Sequence, residues 1–393
     1  MPEAPAPLTA EAGFAAWRAR THFAGLDGLR FFAILGVLFV HSPLVTMWGP
    51  QFRFFGRGFL GVDFFFVISG FLITTLLLRE EDRKGRISLR GFYWRRALRI
   101  LPLFLLVVTA VGGYYVLVKR TPDMAGLWPF YYLFLSNFLT EHIPTLAPTW
   151  SLSVEEQYYL LWPLILVMAP RRWLLWGILG FIVLYQGAIL TGLAYRVWQV
   201  GPLQLKFLKM TYSAILIGAG LALLLHRRAG FGWLWRWLGG RWAAVFWAGL
   251  VLIEFATFPK VVEGLPQLVI HLTMAAFIGA VVIREDGPLM PLLRFAPIVR
   301  VGQVSYGIYL LHLLADHVAR ALMGRLFGGI DGHMAIYIPL YWGLAWALAE
   351  ISFRVYESRF LALRHKPLGF VARDPVPPAA SPAADITKET LSS

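Results

Sequence analysis

Eleven side chains of this 393-residue chain have types and spacings that could do chemistry. Arg30 and His41 come first, eleven residues apart in the apolar run Gly25-Leu-Asp-Gly-Leu-Arg30-Phe-Phe-Ala-Ile-Leu-Gly-Val-Leu-Phe-Val-His41. At ~100° per residue they return to within roughly 20° of one azimuth, and so share a helical face about 16 Å apart. That is roughly half a bilayer core, which sets Arg30 at one interface and His41 somewhat past the midplane. An imidazole at that depth is a candidate general base. The structural alternative is a histidine hydrogen-bonded to a neighbouring helix.

The second apolar run opens Gly58-Phe-Leu-Gly-Val-Asp63. Entering from the opposite face, it brings Asp63 near the expected depth of His41, where a carboxylate could hold the imidazole tautomer. A helix-end carboxylate paired with Arg57 is the bland reading. Next come Arg95, Arg96 and Arg99 in Phe92-Tyr-Trp-Arg-Arg-Ala-Leu-Arg-Ile-Leu-Pro102. Arg96 and Arg99, at i, i+3, present two guanidinium forks suited to phosphate, or merely anchor topology. In Thr149-Trp150-Ser-Leu-Ser153-Val-Glu155-Glu156, Ser153 and Glu156 have capping-box spacing, so Glu156 reads as a helix start. Glu155 has no such role and is expected at the outer mouth of the bundle beside Asp63, with Trp150 and Glu156 positioned to meet an acceptor. Further on, Ser305, Tyr309 and His312 share one face. A second mid-membrane histidine strengthens the functional reading of His41. Asp316–Arg320 and Glu350–Arg354 are self-satisfying i, i+4 pairs, and Glu254 and His271 stay unassigned.

These groups must be positioned by membrane helices. The chain is 58% hydrophobic and 15% charged, too little charge for a soluble domain of this length. Its net charge of +14 falls in short loops between apolar runs, a positive-inside pattern that argues against nucleic acid. With no cysteine, thiolate nucleophiles, disulfides and Cys-based metal sites are excluded, and no metal is expected. No signal-peptide core precedes the run at Arg30. Apolar spans at about 29–48, 58–78, 97–118, 154–170, 172–193, 209–226, 242–258, 265–283, 303–323 and 335–357 predict an all-α bundle of ten helices. The stretch 127–139 is too short to cross and is expected to be re-entrant or interfacial. The arginine-rich loop from Arg79 to Arg99 orients both termini to the cytoplasm. Residues 1–20 then form an N-terminal tail with a weak amphipathic stretch from Phe14 to Trp17. Residues 21–360 form the membrane domain, and 361–393 a largely disordered tail.

The chain resembles the family-3 membrane acyltransferases of bacteria. The resemblance rests on Gly-Leu-Asp-Gly-Leu-Arg30 with His41, Gly-Val-Asp63-Phe-Phe-Phe-Val-Ile-Ser-Gly70 and Arg95-Arg96-x-x-Arg99-Ile-x-Pro102. It also rests on Thr149-Trp-Ser-Leu-Ser-Val-Glu-Glu156-Gln-Tyr-Tyr159 and Ser305-Tyr-x-Ile-Tyr-Leu-x-His312, in order over nearly all of 25–357. It implies an enzyme of the bacterial inner membrane that moves an acyl group, usually acetyl, from cytoplasmic acyl-coenzyme A to a hydroxyl of a carbohydrate or glycoconjugate. Carried over, Arg30 and His41 are essential, and Arg96 and Arg99 support donor use. The reading from residues adds Asp63 and Glu155 to the catalytic set, Arg95 to the donor set, and Trp150, Glu156, Tyr309 and His312 to the acceptor set. The rival class is a transporter or flippase of lipid-linked sugars, in which buried histidines and carboxylates relay protons.

Overall fold

The computed structural model describes residues 9–44, 55–206, 212–258 and 262–365. Its apolar runs are helical because backbone N–H and C=O groups in hydrocarbon must pair within their own segment. The first helices are α1 (Ala10–Ala19), α2 (Ala24–Val40), α3 (Leu60–Lys84) and α4 (Leu89–Gly113), the last running on through a π-turn at Tyr114–Val118. A five-residue α5 (Trp128–Tyr132) precedes α6 (Thr149–Met168) and α7 (Arg171–Leu190). After the antiparallel hairpin β1 (Val197–Val200) and β2 (Leu203–Lys206) come α8 (Ser213–His226), α9 (Arg228–Leu238), α10 (Ala243–Thr257) and α11 (Leu265–Ile283). The chain continues through α12 (Met290–Leu293), α13 (Ala296–Gln303), α14 (Ser305–Phe327) and α15 (Met334–Ser352). A second π-turn, Phe353–Glu357, leads into α16 (Ser358–Ala362).

This is an all-α polytopic membrane protein. Five continuous helices (60–84, 89–118, 171–190, 265–283 and 334–362) are long and apolar enough to cross alone. The number is eight if the bent pairs α1–α2, α8–α9 and α13–α14, broken by 81°, 111° and 74°, each count as one span. Helices α6 and α10 occupy the other two expected positions but fall outside that set. Helix α10 has 15 residues, and the first half of α6 carries Ser151, Ser153, Glu155, Glu156 and Gln157.

Close backbone approach organises the centre. Helices α3 and α8 pack so tightly that a Cβ on Gly70 would lie 1.8 Å from the Ile215 carbonyl, and one on Gly218 2.1 Å from that of Val67. Small residues at such crossings let helices gain packing contacts that lipid cannot offer. Helix α2 lies in the neighbouring layer, against α3, α13 and α14. It ends eight residues before the expected 48, because Pro43 withholds an N–H and biases Ser42 away from helical backbone.

The stretch 127–139 does not form one crossing helix. Short α5 and a 3-10 turn at Ser136–Phe138 fold against α6, where Gln157 Nε2 donates to the Phe134 carbonyl at 2.8 Å and to Asn137 Oδ1 at 3.0 Å. The amphipathic stretch near the N-terminus is α1. Its Trp17 is fully buried beneath the Arg79 guanidinium, 4.9 Å from the ring centroid. The expected disordered tail lies outside the described residues from 366 onward.

Candidate active site

The basic end of the bundle is formed where α3 ends and α4 begins. Two cavities there, of about 490 and 410 Å³, share Arg30, Leu72, Leu76, Arg99, Leu361 and Arg364, and so form one two-lobed vestibule. Arg30 points into it from the second turn of α2, with Nη1 donating to Asp27 Oδ1 at 3.0 Å. Arg96 and Arg99 share the inward face of α4, as their spacing requires. The Arg96 guanidinium lies over Tyr159, 4.8 Å from the ring centroid, which fixes a long side chain that would otherwise lose rotamer entropy on binding. Arg95 turns aside to Glu80, at 3.2 Å, yet still lines one lobe.

A narrow throat of about 90 Å³ continues from the vestibule into the bundle. Its wall holds Arg30, Arg96 and Arg99, one carboxylate (Glu155) and the hydroxyls of Ser69, Ser151, Tyr159, Ser305, Tyr306 and Tyr309. Three guanidinium groups against one carboxylate leave a positive excess in a poorly solvated space, which favours an anionic ligand. The carboxylate itself is tied down, with Oε1 accepting from both Ser69 and Tyr159.

Glu155 is therefore not at the mouth beside Asp63. Helix α6 starts at Thr149, with Pro148 before it, so Glu155 lies nearly two turns down. It meets Ser69, which is six residues and about 9 Å along α3 from Asp63. The expected capping box is also absent: Ser153 Oγ bonds the Thr149 carbonyl at 3.3 Å and Ser136 Oγ at 2.8 Å. Glu156 is half-buried, does not line the throat, and feels the charges of Arg96 and Glu155. Trp150 is half-buried, edge-on to Phe66 at 6.2 Å.

Beyond the throat stand two imidazoles. Tyr309 closes the passage, its hydroxyl donating to the Pro148 carbonyl at 2.9 Å and lying 2.6 Å from Ser151 Oγ. One turn further along α14, His312 is fully buried, with Nδ1 2.6 Å from the Tyr309 carbonyl. The His41 ring packs against it, centroids 4.7 Å apart. His41 Nδ1 lies 2.9 Å from the Val37 carbonyl. A carbonyl only accepts, so both Nδ1 atoms carry a proton, and in the neutral tautomer that this selects, Nε2 holds the lone pair. His312 Nε2 is buried without a hydrogen-bond partner. His41 is not inside a helix, as the span 29–48 implied, but caps the end of α2, where it is exposed.

Asp63 does not orient His41. Its Oδ2 lies 3.4 Å from Nε2 of buried His271 on α11, whose Nδ1 is 3.3 Å from Ser213 Oγ on α8. Helical azimuth explains the difference. Gly61 faces α2, where a Cβ would lie 2.3 Å from the Ala33 carbonyl, and Asp63 is about 200° further round, toward α8 and α11. Ser69, Tyr159 and Tyr306 were absent from the sequence-derived site. The i, i+4 spacing of Glu155 and Tyr159 carried a usable signal, but a lone serine in the run Phe-Val-Ile-Ser69-Gly-Phe did not. Among the described residues no group of three or more His, Asp or Glu could hold a metal ion.

The curated relatives include "Putative O-acetyltransferase SACOL0978" of Staphylococcus aureus (strain COL), 27% identical over 382 residues, covering 88% of this chain and 59% of that protein. "O-acetyltransferase OatA" of S. aureus (strain NCTC 8325 / PS 47) is 27% identical over 395 residues, covering 89% and 59%. The chain thus spans about three-fifths of the length of these relatives. No solved structure matches it. Residues 23–351, which hold Arg30, the throat and both histidines, match the family described as "Acyltransferase domain", and the chain belongs to that family.

Proposed function

We propose that the protein is a membrane O-acyltransferase, moving an acyl group, acetyl above all, from cytoplasmic acyl-coenzyme A to a hydroxyl of a carbohydrate or glycoconjugate at the outer face. The observation that supports this reading is the throat: it runs from an arginine-lined vestibule as far as Tyr309, one turn of α14 from the stacked imidazoles of His312 and His41. Arg96 and Arg99 would hold the donor's diphosphate, and the thioester would enter the throat past Arg30. The acceptor hydroxyl would reach His41 from the opposite end, near Trp150. His41 Nε2 takes the hydroxyl proton as the oxygen attacks the thioester carbonyl; the C–S bond breaks and the thiolate regains a proton. An acyl-histidine relay is the covalent variant. Glu155 then serves the donor side, ordering Tyr159 and the arginines. The names of the curated relatives agree with acetyl as the group. In this reading the arginine-rich end, with both chain termini, faces the cytoplasm of a bacterial inner membrane.

A lipid-linked-sugar flippase would share the buried histidines and could use the guanidinium groups on its phosphates, but a glycan has no route through a narrow throat that Tyr309 closes. Oriented proteoliposomes test the proposal, with labelled acetyl-coenzyme A on one defined side and an impermeant acceptor on the other. Label should reach the acceptor across the membrane only when the donor is at the arginine-rich end. Transfer that requires both substrates on one side overturns the through-bundle route.

A further inference from the structure

We propose that the basic lobe of the vestibule is a subsite for a terminal phosphate monoester, the 3′-phosphate of the donor, built by Arg83 of α3 and Arg364 of the C-terminal segment. The inference rests on acyl-coenzyme A being the donor. The two lobes differ in chemistry. The larger sets the acids Asp27 and Glu357, with His22 and Gln303, against the shared Arg30, Arg99 and Arg364, so its charges nearly cancel. In the smaller lobe Glu80 is the sole acid among the described residues, set against Arg30, Arg83, Lys84, Arg95, Arg96, Arg99 and Arg364.

Glu80 is already committed, as buried partner to Lys84 at 3.1 Å and to Arg95 at 3.2 Å. Those pairs hold Lys84 and Arg95 in place and leave a multiple positive excess across a cavity of about 410 Å³. A phosphate monoester near neutral pH carries close to two negative charges, and guanidinium forks bind it through paired N–H donors.

Order along the ligand decides which phosphate goes where. Arg96 and Arg99 line both throat and basic lobe, whereas Arg83, in the basic lobe, and Arg364, between the two lobes, stay clear of the throat. With the thioester in the throat, the diphosphate falls to the first pair and the more distant monoester to the second. The C-terminal segment thereby becomes part of the donor site: the last helix continues through its π-turn at Phe353–Glu357 to Ala362, and Leu361 and Arg364 at its end reach both lobes.

The test compares KM for acetyl-coenzyme A and acetyl-dephospho-coenzyme A in phosphatidylcholine nanodiscs. Wild-type protein should favour the first about tenfold or more, as expected for losing a charge-assisted phosphate contact. Arg83→Gln and Arg364→Gln should each reduce that ratio to below about threefold. Equal KM values in wild type, or a full ratio in both variants, overturns the proposal. Should a variant not fold, competition on wild type decides: adenosine 3′,5′-bisphosphate should inhibit about tenfold better than AMP, which differs only in lacking the 3′-phosphate, and equal inhibition refutes the subsite. A preference that disappears when phosphatidylglycerol is added assigns the lobe to lipid headgroups and also overturns it. If wild type uses neither thioester, the acyl-coenzyme A reading itself has failed.

Discussion

Gly58→Ala probes whether His41 must be held against His312 by the packing of α2 on the start of α3. A Cβ at position 58 would sit 1.9 Å from the Gly36 carbonyl oxygen and 3.2 Å from Val40 Cβ, next to His41. Ordinary contact starts at 3.4 Å, so the two segments must part by about 1.5 Å, because neither obstacle is the end of a flexible side chain. Overpacking of this kind costs about 1–3 kcal/mol of stability. A displacement of about 1 Å in a reacting group can cost roughly 100-fold in rate, so kcat should fall by about that factor. Arg30 is eleven residues away, so donor KM should stay within about twofold. Gly36→Ala is the graded control: its Cβ meets the Gly58 carbonyl oxygen at 3.2 Å, a clash that a few tenths of an ångström relieve, and kcat should fall less than about fivefold. The assay is initial-rate acetyl transfer in nanodiscs with acetyl-coenzyme A varied, alongside thermal unfolding. Wild-type kcat in Gly58→Ala, or equal losses in the two variants, would refute the reasoning.

His41→Ala should abolish transfer while the protein still inserts and unfolds like wild type, and His312→Ala, which removes the ring beneath it, should lower kcat by about tenfold or more. Substantial transfer by the His41 variant would end its role as base. Replacing Arg96 and Arg99 together by alanine should raise donor KM sharply with little change in unfolding temperature, and lysine should rescue only part, since it lacks the planar fork. Failed insertion at unchanged donor affinity would make them topology anchors. Asp63→Asn should destabilise by about 1–3 kcal/mol, because it weakens the buried contact to His271, while the folded fraction keeps its donor KM and kcat. A large kcat loss at wild-type stability would restore Asp63 to His41.

Much of this protein is legible without coordinates. Apolar runs of membrane length must become helices, since no other local structure satisfies the backbone in lipid, and helical spacing alone put Arg96 with Arg99, and Tyr309 with His312, on common faces. Helix ends were harder. Pro43 stops α2 just after His41, and Pro148 starts α6 before Ser153, so both functional groups moved relative to their expected depth. What the sequence could not assign were partners across helices. Asp63 and His41 looked matched because depth can be counted in residues. Azimuth depends on which neighbour each helix packs against, and the glycine contacts at Gly61 and Gly70 turn Asp63 toward His271 and away from α2. The same packing takes Glu155 from the expected outer mouth into the arginine-lined throat, because a carboxylate in a low-dielectric bundle settles where hydroxyls and guanidinium groups converge, and only the tertiary structure brings Ser69, Tyr159 and three arginines to one point.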